Sequence, residues 1–195
     1  MTGKFLIVDS AYQPTKHDRI RFEFDDGTIM VWSDVRQFGF IHHVSVNELD
    51  DILSAYGPEP LETPAEILAA RIETPKTRKL KVALLDQGVI AGIGNIYADE
   101  ACHRAGLRPA RRLGSLTSSD RLRVMREAKN VLTESLAQKG TSANDYVDTH
   151  GERGGFLGFL RVYGREGERC QACGTPIKRI VLAQRGTHYC PSCQA

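Results

Sequence analysis

Four cysteines close the chain: Cys170 and Cys173, then Cys190 and Cys193, in the order C-x2-C, sixteen residues, C-x2-C. Two residues between thiolates let one tight turn aim both sulfurs at a single metal, and two such turns complete a tetrahedral site. Gly174 follows the first pair and Pro191 lies inside the second, as turn-forming residues should. Between the pairs, KRIVLAQRGTHY reads as two short strands around an Arg-Gly turn. The competing readings are a pair of disulfides or four unrelated thiols, and a cytosolic setting argues against disulfides. Four thiolates fill the coordination sphere and leave no position for water, so one zinc ion here is structural. A module this short buries little core, so metal binding supplies most of its folding free energy, on the order of 10 kcal/mol. What it presents is a hairpin carrying Lys178, Arg179 and Arg185, a set suited to phosphate.

At roughly 150 residues per domain, the 195 residues make one large domain or two small ones. No stretch approaches the roughly 18 apolar residues of a spanning helix. The N-terminal apolar run, Phe5 to Val8, stops at Asp9 and is too short for a signal peptide. The expected address is therefore the cytoplasm, with no membrane partner. A net charge of +2 conceals an asymmetry. Residues 1–75 carry 6 Lys+Arg against 13 Asp+Glu, a balance of −7, whereas residues 76–195 carry 20 against 11, a balance of +9. A basic part joined to an acidic part is expected where one of them meets a polyanion, and nucleic acid is the leading candidate.

Along the chain the first stretch reads as β. In DRIRFEF, Ile20, Phe22 and Phe24 alternate with Arg19, Arg21 and Glu23, Asp25-Asp26-Gly27 signals a hairpin turn, and TIMVW continues as the partner. GKFLIVD before this pair and FGFIHHV after it predict further strands of an antiparallel sheet or sandwich. GPEP at residues 57–60 marks a break, after which the pattern turns helical. Pro64 suits the first turn of AEILAARI, with Thr63 as N-cap. TRKLKVALLDQ sets Leu80, Leu84 and Leu85 on one face and Arg78, Lys79 and Lys81 towards another. The glycine-rich GVIAGIG then leads into a helix starting at Asn95. A longer helix runs from SSDRLRVM to about SLAQKG, with Leu122, Met125, Leu132 and Leu136 as its apolar stripe and Gly140 as its C-cap. Gly88, Gly92 and Gly94 let the backbone approach another surface closely, and the following helix points its free N–H groups at that surface, which suits an anion. With Lys79 and Lys81 beside it, the unit reads as a phosphate clasp.

Several segments together resemble the formamidopyrimidine-DNA glycosylase / endonuclease VIII family of base-excision repair enzymes. They are LLDQGVIAGIGNIYADEACHRAGLRP, FLRVYGREGERCQACGTPIKRIVLAQRGTHYCPSCQ, and SDVRQFG with GPEPL upstream, in the family's order over nearly the whole chain. The resemblance implies an α+β fold: a partial antiparallel β-sandwich over residues 1–56, a helix–two-turn–helix domain over 57–150, and a pocket loop with a zinc-ribbon hairpin over 151–195. It implies that Asn95 binds phosphate, that Lys79 contacts phosphates flanking a lesion, and that Arg185 grips the backbone beside a flipped nucleotide. Arg36 and Phe38 resemble two members of the wedge that fills the gap left by base extrusion, and Met1 stands where a third would be. The implied partner is double-stranded DNA with a damaged or abasic site. The polar, glycine-rich TSANDYVDTHGERGGFLGF resembles a mobile pocket loop.

One departure bears on activity. Family members begin with Pro-Glu, whose proline amine attacks the sugar C1′ while the glutamate acts as acid and base, assisted by a lysine on a β-hairpin. The chain starts at Met1-Thr2-Gly3-Lys4 and contains none of that stretch. An α-amine on Thr2 has a pKa near 8, yet its place in the resembling fold is the wedge loop. Neither Glu23 nor Glu59 adjoins a candidate nucleophile. The expectation is a C-terminal part of a glycosylase/AP lyase that binds DNA and is inactive alone. The alternatives are a stand-alone, non-catalytic zinc-dependent DNA-binding module and a zinc-ribbon scaffold of a protein assembly. Strands lacking sandwich partners leave an apolar face and open edges, so residues 1–50 are expected to be weakly stable, in a monomer that associates through this remnant. Cys102 is expected to be a buried thiol.

Overall fold

The computed structural model describes residues 3–142 and 147–195. They form two compact units: residues up to Val44 together with Ser135–Phe159, and Ser45–Glu134 together with Leu160–Ala195.

The first unit is built on three antiparallel strands, β1 (Lys4–Val8), β2 (Asp18–Glu23) and β3 (Ile29–Ser33), in the order β1-β3-β2. The Asp25–Gly27 turn joins β2 to β3 as the sequence predicts. Gly27 takes φ +81°, and its N–H donates to the Phe24 carbonyl. A bulge between Asp18 and Ile20 interrupts the ladder. There Arg19 turns aside, donating through Nε to the Asp34 carbonyl at 3.0 Å. Alternation divides the sheet cleanly. Ile29 and Val31 are buried on one face, while Phe5, Ile7 and Ile20 on the other remain more than a third exposed.

The strand predicted over FGFIHHV is absent; residues 38–44 are irregular. The Asp34 carboxylate accepts the Arg36 and Gly39 N–H groups at 3.1 and 3.0 Å. Donors that a ladder requires are thereby spent locally, and Gln37 at φ 55° turns the chain. A Cβ at Gly39 would enter the Trp32 ring, so glycine is required here. Of the predicted pocket loop, Ala143–Tyr146 lie outside the described residues. In the described part, Phe156 is fully buried and stacks on Phe159, with ring centroids 5.7 Å apart.

The second unit is helical, followed by a hairpin. Helix α1 (Val46–Ser54) is not among the helices predicted from the sequence. Ser45 caps it in a capping box with Glu48, a Ser-x-x-Glu signal legible in the sequence. It buries no residue. Helices α2 (Ala65–Arg71), α3 (Leu80–Leu84), α4 (Asn95–Arg104) and α5 (Ser118–Ala137) enclose the main core. Leu68, Ile72, Leu80, Leu84, Ile93 and Met125 lie at its centre. Pro64, not Thr63, occupies the N-cap of α2, and no side chain caps that end. In α5 the buried stripe is Val124, Met125, Ala128, Val131 and Ser135, so Leu136 falls off it and is 65% exposed. At about 100° per residue, one position past Ser135 carries a side chain out of the buried arc. Gly140 terminates this segment at φ +89°, its N–H donating to the Ser135 carbonyl.

Strands β4 (Lys178–Leu182) and β5 (Arg185–Tyr189) pair antiparallel with Leu182 opposite Arg185. The turn is therefore Ala183-Gln184, at φ 46° and 61°, and not the predicted Arg-Gly, which lies inside β5. Both central residues are left-handed, as a two-residue turn matched to strand twist demands. Without glycine this costs on the order of 1 kcal/mol per residue.

Candidate metal centre and phosphate-binding helix

The four C-terminal cysteines converge. Their sulfurs all lie within 4.8 Å of one another, with Cys170 to Cys193 at 3.9 Å and Cys173 to Cys190 at 3.4 Å. A tetrahedral zinc–thiolate site places its sulfurs about 3.8 Å apart, so this donor set fits one zinc ion. Hydrogen bonds from Thr175 pull the Cys173 thiol down to about 6. Sharing among the sulfurs pushes Cys193 up. Sulfurs this crowded compete for protons unless a cation takes their place. The apolar support is thin, consisting of Val162 and Ile177 beside Cys170 and Cys190, so the metal holds the finger together.

The glycine-rich loop runs into α4 as expected. Gln87 holds it from inside, accepting the Gly92 N–H at 2.8 Å and donating to the Ile93 carbonyl at 3.1 Å. Gly92 has φ +81°, and a Cβ there would strike the Glu59 carboxylate. Gly94 is the N-cap of α4 and offers no side chain, so the first-turn N–H groups lack a capping acceptor. Asn95 follows. Its Nδ2 donates to the Gly186 carbonyl at 3.2 Å and, more weakly, to the Tyr163 hydroxyl at 3.4 Å. Its Oδ1 is buried without a partner among the described residues.

Asn95 thus stands against the residue next to Arg185. The Arg185 side chain is exposed at the hairpin tip and has no ion pair among the described residues. Lys79 is the N-cap of α3, exposed, and bridged through its backbone to Arg112. Nothing among the described residues joins the Lys79 side chain to Asn95 or Arg185. Arg36 and Phe38 meet in the first unit, where the guanidinium lies 4.7 Å from the centre of the Phe38 ring. That ring is 64% exposed, unlike a core aromatic. Met1 lies outside the described residues.

Lys81 corrects the sequence reading. It is not a surface cation but fully buried, with Nζ 2.7 Å from Asp99 Oδ1 and 2.9 Å from both the Gly186 carbonyl and the Thr187 hydroxyl. Burial lowers its pKa and the Asp99 charge opposes that shift. Asp99 also accepts the His188 backbone N–H at 2.8 Å. The next residue, Glu100, accepts three backbone N–H groups, from Arg161, Val162 and Tyr163, each at 2.9 Å. Sequence reasoning missed this acidic pair. The available signal was two carboxylates in ADEAC, within a helix whose neighbouring positions are apolar.

Helix α4 therefore docks the hairpin along one stripe. Asn95, Asp99 and His103, spaced i, i+4, i+8, meet Gly186, His188 and Cys170 in turn. His103 Nε2 lies 3.7 Å from the Cys170 sulfur. Burial, then the nearby Arg161, Arg104 and Arg165 charges, push its pKa down to about 4. The Cys102 thiol is fully buried and pushed up by burial.

Glycine loop, capless helix and four-thiolate hairpin define a helix–two-turn–helix protein with a C-terminal zinc finger. Residues 1–41 match the formamidopyrimidine-DNA glycosylase N-terminal domain, residues 56–146 its H2TH domain, and residues 167–195 the zinc finger found in FPG and IleRS. The chain belongs to the formamidopyrimidine-DNA glycosylase family. It is 42% identical over 198 residues to the formamidopyrimidine-DNA glycosylase of Listeria innocua and 44% identical over 200 residues to that of Geobacillus kaustophilus. In each case the match takes in 100% of this chain and 72% of the relative. A Lactococcus lactis FPG variant in complex with Fapy-dG-containing DNA matches with TM-score 0.89 at 31% identity, across 100% of this chain and 72% of that one. The L. lactis Fpg in complex with abasic-site DNA matches with TM-score 0.88 at 31% identity and the same coverage.

Proposed function

We propose that these 195 residues form the DNA-holding part of a base-excision repair glycosylase and bind duplex DNA at a damaged or abasic site. The observation that carries this reading is the 3.2 Å contact between Asn95 and Gly186. It sets the open N-terminus of α4 beside Arg185, so backbone N–H groups and a guanidinium serve one phosphate run. Lys79 adds a further phosphate contact. Arg36 and Phe38, with Met1, enter the duplex where a nucleotide is extruded: the arginine bonds the orphaned base and the ring stacks in the opened step. The solved complexes of relatives with lesion-containing DNA support the same partner.

Among the described residues the buried Lys81 amine is tied up by Asp99, Gly186 and Thr187, so this part of the glycosylase holds DNA without cutting it. The protein acts on the nucleoid as a monomer, and the half-exposed sheet face at Phe5, Ile7 and Ile20 is where chains associate at high concentration.

Fluorescence anisotropy on a duplex carrying an abasic-site analogue tests the grip. Asn95→Ala combined with Arg185→Ala weakens binding, and loss of the Arg185 charge reduces the steepness of log K against log salt by about 0.9. Unchanged affinity in the double variant sinks the reading. Borohydride reduction on abasic DNA is expected to trap no adduct, and a trapped adduct refutes the claim of inertness.

A further inference from the structure

His103 projects from the last turn of α4 into the finger. Its ring is 8% exposed and the sulfur it faces belongs to Cys170, 2% exposed. Nε2 lies 3.7 Å from that sulfur, whereas Nδ1 is buried with no partner among the described residues. The ring thus directs its one engaged polar atom at a metal ligand. Once Cys170 ligates zinc it is a thiolate with no proton to give, so the nitrogen must be the donor and the sulfur the acceptor. The N–H from Cys193 to the Cys190 sulfur, at 3.4 Å, belongs to the finger itself. His103 comes from outside it, two helical turns along from Asn95.

We propose that His103 donates its Nε2–H to the zinc-bound Cys170 thiolate, relieving the negative charge of the tetrathiolate site and fastening the metal to the helix that begins at Asn95. Four thiolates around Zn2+ leave a net charge of about −2. A hydrogen bond to sulfur draws part of that charge away from the metal, and outer-shell partners of this kind set metal affinity as well as ligand orientation. The inference depends on the metal site alone and stands or falls apart from the DNA-binding reading.

Three measurements on the zinc-loaded 195-residue chain test it. Nitrogen-15 spectra of the imidazole should show His103 protonated at Nε2 and bare at Nδ1. Zinc transfer to 4-(2-pyridylazo)resorcinol should accelerate about tenfold in His103→Phe, which keeps the bulk and removes the donor. In the cobalt(II)-substituted form, the sulfur-to-metal charge-transfer band of that variant should move to longer wavelength. His103→Gln restores an N–H and should bring both readouts back towards the parent. An Nδ1–H tautomer overturns the proposal, as does a His103→Phe protein with unchanged release and an unchanged band. An acceleration shared in full by His103→Gln marks a packing role and also overturns it. If His103→Phe loses its helical circular dichroism, the tautomer of the parent protein decides alone.

Discussion

Lys81 Nζ and Asp99 Oδ1 lie 2.7 Å apart with neither side chain exposed to solvent. The pair joins α3 to α4, and both partners reach on to β5, Lys81 through Gly186 and Thr187 and Asp99 through His188. Two charges withdrawn from water repay their desolvation only when their remaining hydrogen-bonding capacity is met. Here the strand that starts with Arg185 supplies partners for Lys81 Nζ and for Asp99 Oδ2, while Asp99 Oδ1 faces the Lys81 charge without a hydrogen bond among the described residues.

Removing one partner leaves the other charge buried and alone. Lys81→Met should therefore destabilise the protein by about 3–5 kcal/mol, read as a lower urea midpoint. Lys81→Met with Asp99→Leu should cost clearly less than the two single changes added together. Additive losses would mean that the pair is not coupled.

Phe38→Ala separates holding from wedging. The ring under Arg36 is largely exposed, so the urea midpoint should stay within the range of an ordinary surface change, about 0.5 kcal/mol. Binding to intact duplex should be unaffected, while preference for an abasic site falls, since stacking is worth about 1–3 kcal/mol per base. Equal losses on both duplexes would contradict the wedge.

Acid should act on the start of α5. Burial pushes the Asp120 carboxyl up, but the Thr117 N–H and hydroxyl and the Arg111 and Arg123 charges outweigh it and hold the pKa below the usual range. A carboxylate whose folded pKa is depressed stabilises the fold above its unfolded pKa, near 3.9, and loses that contribution as pH falls through the folded value. Asp120→Asn should thus cost about 1 kcal/mol at neutral pH, and the gap from the parent should close below roughly pH 4. A gap that persists at pH 2 would rule out this carboxylate as its source.

Chelation should dismantle one region. With zinc removed, amides of Lys178–Leu182 and Arg185–Tyr189 should exchange rapidly, because the apolar support at Val162 and Ile177 is thin and the contacts of Lys81, Asn95 and Asp99 reach β5 alone. The core around Leu68, Leu80 and Met125 contains no metal ligand and should keep its helical circular dichroism. DNA affinity should fall with the hairpin, since Arg185 is lost with it.

Legibility in the sequence followed the strength of each local constraint. Cysteine spacing located the hairpin, alternation located β2 and β3, and the glycines located the loop before Asn95. Lys81 was misplaced because a five-residue helix is too short to set a phase, and lysine is ordinarily read as solvated. The turn at Ala183-Gln184 was misplaced because left-handed backbone usually selects glycine. Gly186 lies inside the strand instead, where a Cβ would come within 3.2 Å of the Arg179 guanidinium. Helix α1 announces itself through Ser45 and Glu48, and it buries no side chain. Glu100 and Asp99 satisfy backbone groups distant in the chain, which no local pattern reports.

Arg185 is the first residue past a turn with no slack, and Cys190 follows the last residue of its strand. Five paired residues at about 3.3 Å each give an arm roughly 17 Å long from metal ligand to cation. Side chains alternate sides along such a ribbon, so one extra residue between Arg185 and Cys190 would swing the guanidinium to the opposite face while leaving every sulfur in place. Reach and handedness of the grip are thus written into segment length, and an insertion that spared all four cysteines would still disarm the finger.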